Sequence, residues 1–132
     1  MKIIAVLSIV FLAVILNLLW MNSSQYSLGP HGGKVKQAEN FNIEKIQSHE
    51  NLYIFLLDHN YKPISNKGIV GEARFYFSDE TTSDIPLKPF EADGFTVSML
   101  DNNYHTCRIT FTISGKSIST KFDNENLIVS TK

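Results

Sequence analysis

The chain predicts an all-β fold, an antiparallel β-sandwich, and three observations carry that prediction. Apolar residues in the body of the chain recur at every second position in short runs. Clusters of Gly, Pro, Asn, Asp and Ser interrupt those runs at near-regular spacing. Past the N-terminal segment no apolar stripe keeps a helical period for three turns.

The first segment is different. Residues 3–21, "IIAVLSIVFLAVILNLLWM", carry no charge, and none follows until Lys34. Such a stretch predicts a hydrophobic helix, since roughly 20 apolar residues cover the hydrocarbon core of a bilayer. Lys2 on the short flank keeps the N-terminus in the cytoplasm and sends the rest across. Residues 1–22 are therefore read as a signal peptide or a single-pass signal anchor, and both readings stay open. The run exceeds the ~7–15 residues of an ordinary signal core, and Trp20 suits a membrane interface, which favours the anchor. "NSS" at 22–24 supplies small residues for cleavage. Residues 23–30 form a polar tether, and residues 31–132 the β-domain.

Within that domain "NFNIEKIQ" and "LYIFLLD" alternate around "SHEN" and predict a hairpin whose second strand is central. "HNYKPISNKG" (59–68) is a loop, punctuated by Pro63, Asn66 and Gly68. "IVGEARFYF" (69–77) turns Ala73, Phe75 and Phe77 to one face, and "SDETTSD" reverses the chain. "IPLKPF" (85–90) holds two prolines and so predicts an edge strand. "FTVSML" (95–100) sends Phe95, Val97 and Met99 inward, and "YHTCRITFTI" (104–113) does the same with Cys107, Ile109, Phe111 and Ile113. "SGK" makes a tight turn into "SISTKF" (117–122), with Ile118 and Phe122 inward. The sum is about seven strands, the pattern of an immunoglobulin-like sandwich preceded by a hydrophobic helix.

Composition excludes several functions. Removing Lys2 from the 12 Lys and Arg leaves 11 against 13 Asp and Glu, a net charge of −2 for the exported part. There is no basic run, so nucleic acid and anionic lipid are not expected partners. Cys107 is the only cysteine, which leaves an internal disulfide impossible and the fold dependent on its core. The sequence has no GxSxG, HExxH, CxxC, Walker or GxGxxG motif, so the chain is not expected to be an enzyme.

One series of motifs carries a resemblance. "PHGG" (30–33) precedes "FNIEKI" (Phe41 to Ile46), then "YIFLLD", then the glycine-flanked "GIVG" and a closing "SGKSISTKF". The series resembles a family of small exported bacterial "PHGG" β-domains, and the N-terminal β-domain of periplasmic adaptor proteins of heavy-metal efflux. That resemblance implies a β-sandwich on the periplasmic side of the inner membrane, associated with an envelope protein or a metal-efflux assembly. His31, Gly32, Gly33, Glu44 and the "LLD" ending at Asp58 match the pattern. The long helical hairpin and pump-docking domains of the adaptors are not present in this chain.

His31 is the leading candidate for chemistry. A neutral imidazole suits Cu or Zn, and Glu44 or His59 could complete a metal site if the "HGG" segment lies along the first hairpin. The competing reading is structural: His31 hydrogen-bonds Glu44 while Gly32 and Gly33 form a bulge. An amino-terminal copper site after cleavage at Leu28 is excluded, because Pro30 has no amide proton to lose. His49 reads as a turn residue, His59 as a strand-end residue beside Asp58, and His105 as sharing a face with Cys107. Met99 reads as core, and Asp79, Glu80 and Asp84 as a solvated turn. The sequence thus supports a non-enzymatic module of the bacterial cell envelope, held at the membrane through its N-terminal segment if that is uncleaved. The module either binds metal or assists heavy-metal efflux, or is a structural or protein-interaction module with no metal site.

Overall fold

The computed structural model describes residues 27–99 and 103–125. The apolar N-terminal segment, with its signal-or-anchor alternative, lies outside the described residues. In chain order the strands are β1 (Ser27–Leu28), β2 (Lys34–Ala38), β3 (Phe41–Ser48), β4 (Asn51–Leu57), β5 (Val70–Phe77), β6 (Thr82–Pro86), β7 (Lys88–Phe90), β8 (Gly94–Ser98), β9 (Tyr104–Ile113) and β10 (Lys116–Asp123). They form two antiparallel sheets, one of six strands in the order β1-β2-β3-β4-β8-β7 and one of four in the order β10-β9-β5-β6.

Alternation along the strands builds one apolar core shared by both sheets. Ile43, Leu52, Ile54, Leu56, Phe95 and Val97 come from the first sheet, and Ala73, Phe75, Cys107, Ile109, Phe111, Ile118 and Phe122 from the second. The core contains Ala73, Phe75, Phe95, Val97, Met99, Cys107, Ile109, Phe111, Ile118 and Phe122, all expected inward from the period-2 pattern. Phe77 and Ile113, at strand ends, pack against its margin.

The strand count departs from the expected seven in two places. Residues 27–38 contribute β1 and β2 along the edge of β3, which the short polar stretch before Phe41 did not announce. The single edge strand expected over 85–90 is two strands on two sheets, because the chain changes sheet at Leu87. Leu87 donates its N–H to the Gly71 carbonyl at 2.9 Å and buries its side chain in the core. Alternation then turns the backbone N of Pro86 away from β5, where its missing hydrogen leaves no ladder bond unmade. The two prolines therefore sit on edges, as expected.

Where β6 and β7 part, a groove of about 530 Å³ opens, walled by Ile85, Pro86 and Val97, with Lys88 as its charged residue.

A bulge corrects one expectation on β9. The register with β5 shifts between Tyr76 and Phe77, so that Phe77 faces Tyr104 while Tyr76 faces Thr106. One extra residue, His105, is taken up on the β9 side. Tyr104 therefore enters the core beside Phe75, ring centroids 4.9 Å apart, while His105 is exposed and does not join Cys107.

Candidate functional site

The outer face of the six-stranded sheet carries a second, smaller apolar cluster of Val35, Phe55 and Leu57, edged by Ile46, Tyr53 and Tyr61. In its midst stands a carboxylate. Glu44 is 0% exposed, and it points outward because Ile43 and Lys45, its neighbours on β3, point inward. Cross-strand partners Val35 and Phe55 flank it. A buried carboxylate without donors would be costly, so the fold must supply them.

The loop between β1 and β2 does so. Gly29 accepts the N–H of Gly32 at 3.0 Å and donates its own to Gly33 at 2.9 Å. That is a type I turn with Pro30 at its second position and His31 at its third, followed by Gly32 at φ +82°. Each residue of "PHGG" thus has a local cause: Pro30 presets φ, and Gly32 takes the left-handed conformation that closes the bulged hairpin. Gly33 has a different reason, since a Cβ there would stand 2.6 Å from the Lys45 carbonyl oxygen.

The loop closes over Glu44 with three bonds. The N–H groups of His31 and Gly33 donate to Oε2 at 2.9 and 2.8 Å. Nδ1 of His31 lies 2.8 Å from Oε1, and the tautomer with its proton on Nδ1 donates to that oxygen. Gly29 makes room, since a Cβ on it would come within 2.6 and 2.7 Å of the two carboxylate oxygens. The imidazole itself lies flat on Phe55, ring centroids 3.7 Å apart and planes 11° from parallel. Its remaining nitrogen, Nε2, faces outward with Asp93 Oδ2 3.9 Å away, beyond hydrogen-bond reach.

The structure therefore brings two of the three candidate ligands together and places the third elsewhere. His31 and Glu44 meet; His59 lies past the end of β4, lining a surface hollow with Glu39, Asn42 and Tyr61. Its neighbour Asp58 accepts the N–H groups of Asn60 and Lys62, at 2.8 and 3.0 Å, and the Lys62 bond is the main cause of its lowered pKa. Among the described residues no three His, Cys, Asp or Glu side chains come together to hold a metal ion. His31 Nε2 and Asp93 offer two donors, short of the three protein ligands of a catalytic zinc site or the four of a structural one. Asp93 carried no signal in the sequence, because the turn before β8 comes near His31 only through the pairing of β8 with β4.

A second buried polar group also went unannounced. Lys45 is 1% exposed, faces the core side of the sheet and donates to the Asp123 carbonyl at 3.1 Å. Its ammonium lies 5.4 Å from the centre of the Phe122 ring. Burial holds its pKa below the usual lysine range, with Glu125 partly opposing that shift. Beside it, burial pushes the Cys107 thiol up to about 12, as expected of an inert core cysteine. Tyr104, Gln47 and Asn124 close this end of the sandwich: Tyr104 donates to Gln47, Gln47 to Asn124, and Asn124 to the Tyr104 carbonyl.

Among the described residues no helix is long and apolar enough to cross a membrane. Comparison with family models, with curated proteins and with solved structures finds no match to the chain.

Proposed function

We propose that the chain is a non-enzymatic β-sandwich module of the bacterial cell envelope, an interaction or accessory domain in which His31 acts as a structural latch. One observation carries the second half of this reading: every polar group of the "PHGG" loop that faces Glu44 is engaged with that buried carboxylate. The N-terminal apolar segment and the resemblance to exported "PHGG" domains support the envelope location and the association with metal efflux. Strand order supports an immunoglobulin-like reading of the sandwich. With β1 and β2 set aside, β3-β4-β8-β7 faces β10-β9-β5-β6, the arrangement of four strands against three with one strand added beside β5.

Fractionation tests the location. The full chain, tagged at its C-terminus, is expected in the membrane or periplasmic fraction and to crosslink there to an envelope protein. Recovery in the cytosol, without such a crosslink, contradicts the reading.

A second reading keeps His31 as a metal donor. The Nδ1 bond to Glu44 fixes the imidazole and leaves Nε2 outward, the carboxylate–histidine arrangement that commonly supports a metal-bound imidazole. Asp93 would be the second donor, and the rest would come from solvent or from a partner protein, as suits an accessory of a metal-efflux assembly.

A further inference from the structure

The outer face of the four-stranded sheet holds a row of cations that is scattered in the sequence. Ala73 and Phe75 of β5, Cys107 and Ile109 of β9 and Phe122 of β10 all point into the core. Their neighbours Arg74, Arg108 and Lys121 therefore point outward. Register puts these side by side: Lys121 faces Arg108, Arg108 faces Arg74, and Arg74 faces Asp84. Two successive cross-strand pairs thus join like charges, an arrangement that costs stability. Arg74 is answered by Asp84 through two bonds, Nε to Oδ1 at 2.6 Å and Nη2 to Oδ2 at 3.0 Å. Among the described residues neither Arg108 nor Lys121 has a carboxylate within ion-pair distance. Both instead approach the ring of Tyr76, Arg108 Cζ at 5.7 Å and Lys121 Nζ at 4.9 Å from its centre. Glu72 and Asp123 stand in the flanking rows, opposite Thr110 and Thr106.

We propose that this row is a docking surface for an acidic segment of a partner protein, whose carboxylates bind Arg108 and Lys121 as Asp84 binds Arg74. The Arg74–Asp84 pair shows the ligand chemistry already realised at one end of the row. The two cations beyond it have the Tyr76 ring beside them, and among the described residues a carboxylate arriving from solvent would displace no ion pair of theirs. Three cations in a line across adjacent strands suit an extended acidic peptide better than a lipid surface, to which each basic residue adds only about 1 kcal/mol. The proposal stands on this face alone and does not depend on the role of His31.

The test uses the full chain in nanodiscs of neutral phosphatidylcholine, with a fluorescent peptide of alternating Glu and Ser as probe. Binding is expected to weaken as salt rises, and to fall about tenfold in the Arg108→Gln/Lys121→Gln double variant. Lys121 is exposed, so Lys121→Glu alone provides a variant whose folding is not at issue, and it too is expected to lose the peptide. Equal peptide affinity in the wild-type chain and both variants overturns the proposal. Binding to phosphatidylglycerol vesicles without binding to the peptide also overturns it, as does salt-sensitive self-association of the chain without peptide binding.

Discussion

Phe55 carries the imidazole of His31 flat on its ring, 3.7 Å between centroids, while Glu44 on the neighbouring strand holds the same imidazole by Nδ1. The stack and the hydrogen bond act on one side chain, so they can be separated by substitution. His31→Ala removes both and leaves Glu44 Oε1 without its donor, at an expected cost of about 1–3 kcal/mol. His31→Phe keeps an aromatic ring for the stack but loses the bond, and is expected to fall between the two in thermal melting. A His31→Ala protein that melts with the wild type contradicts the latch.

The glycines of the loop differ in what they prevent. Gly33→Ala places a methyl group against the Lys45 carbonyl, and Gly29→Ala drives one into the Glu44 carboxylate. Both are expected to be strongly destabilising, because each contact is with a group that the sheet or a buried carboxylate fixes in place. Gly32 has open space around it, so Gly32→Ala meets only the backbone strain of φ +82°, about 1 kcal/mol. Gly32→Asn should cost less than Gly32→Ala, since Asn tolerates that conformation better. Urea denaturation of the four variants gives the order.

Lys45 makes stability depend on pH in a definite direction. Its pKa in the fold is below the 10.5 of the unfolded chain, so between the two values the unfolded chain holds more protons. Stability then rises as pH climbs through the folded value towards 10.5. Cys107 works the other way, its contribution being complete below 9.0 and lost as pH rises through about 12. Lys45→Met removes the lysine's contribution and leaves the Cys107 thiol in place, without the ammonium that opposed the rise of its pKa. The variant is expected to match or exceed the wild type at pH 7, by up to about 2 kcal/mol, with the gap closing in alkali. A variant that is less stable at every pH contradicts this balance.

Cys107 is 0% exposed, and its thiol is pushed up to about 12 by burial. A disulfide reagent at pH 8 is expected to leave the native chain unmodified and to label it fully in denaturant. Rapid labelling of the native protein would place the thiol outside the core.

Much of this fold was legible because period-2 alternation reports the inward face directly, as with Cys107, Ile109, Phe111, Ile118 and Phe122. The pairing of His31 with Glu44 was legible too, as one of two alternatives, since "HGG" lay one short strand away from the glutamate. What the sequence hid depends on strand order or on single-residue irregularities. The bulge at His105 shifts the phase of β9, so Tyr104 is buried where alternation from Cys107 makes it outward. The alternation that buries Ile43 also buries Lys45, but a charged residue breaks the apolar pattern by which such positions are recognised. Asp93, and the row of Lys121, Arg108 and Arg74, come together only once β8 is paired with β4 and β9 is set between β5 and β10.

The most direct test of the latch is thermal melting of the full chain and of His31→Ala, each with and without Zn(II), read alongside Asp93→Asn. The account predicts that His31→Ala melts lower without metal and that Zn(II) shifts all three proteins by the same small amount. Equal melting of the three without metal, with a Zn(II) stabilisation that only the wild type shows, would contradict it and assign His31 and Asp93 to a metal site.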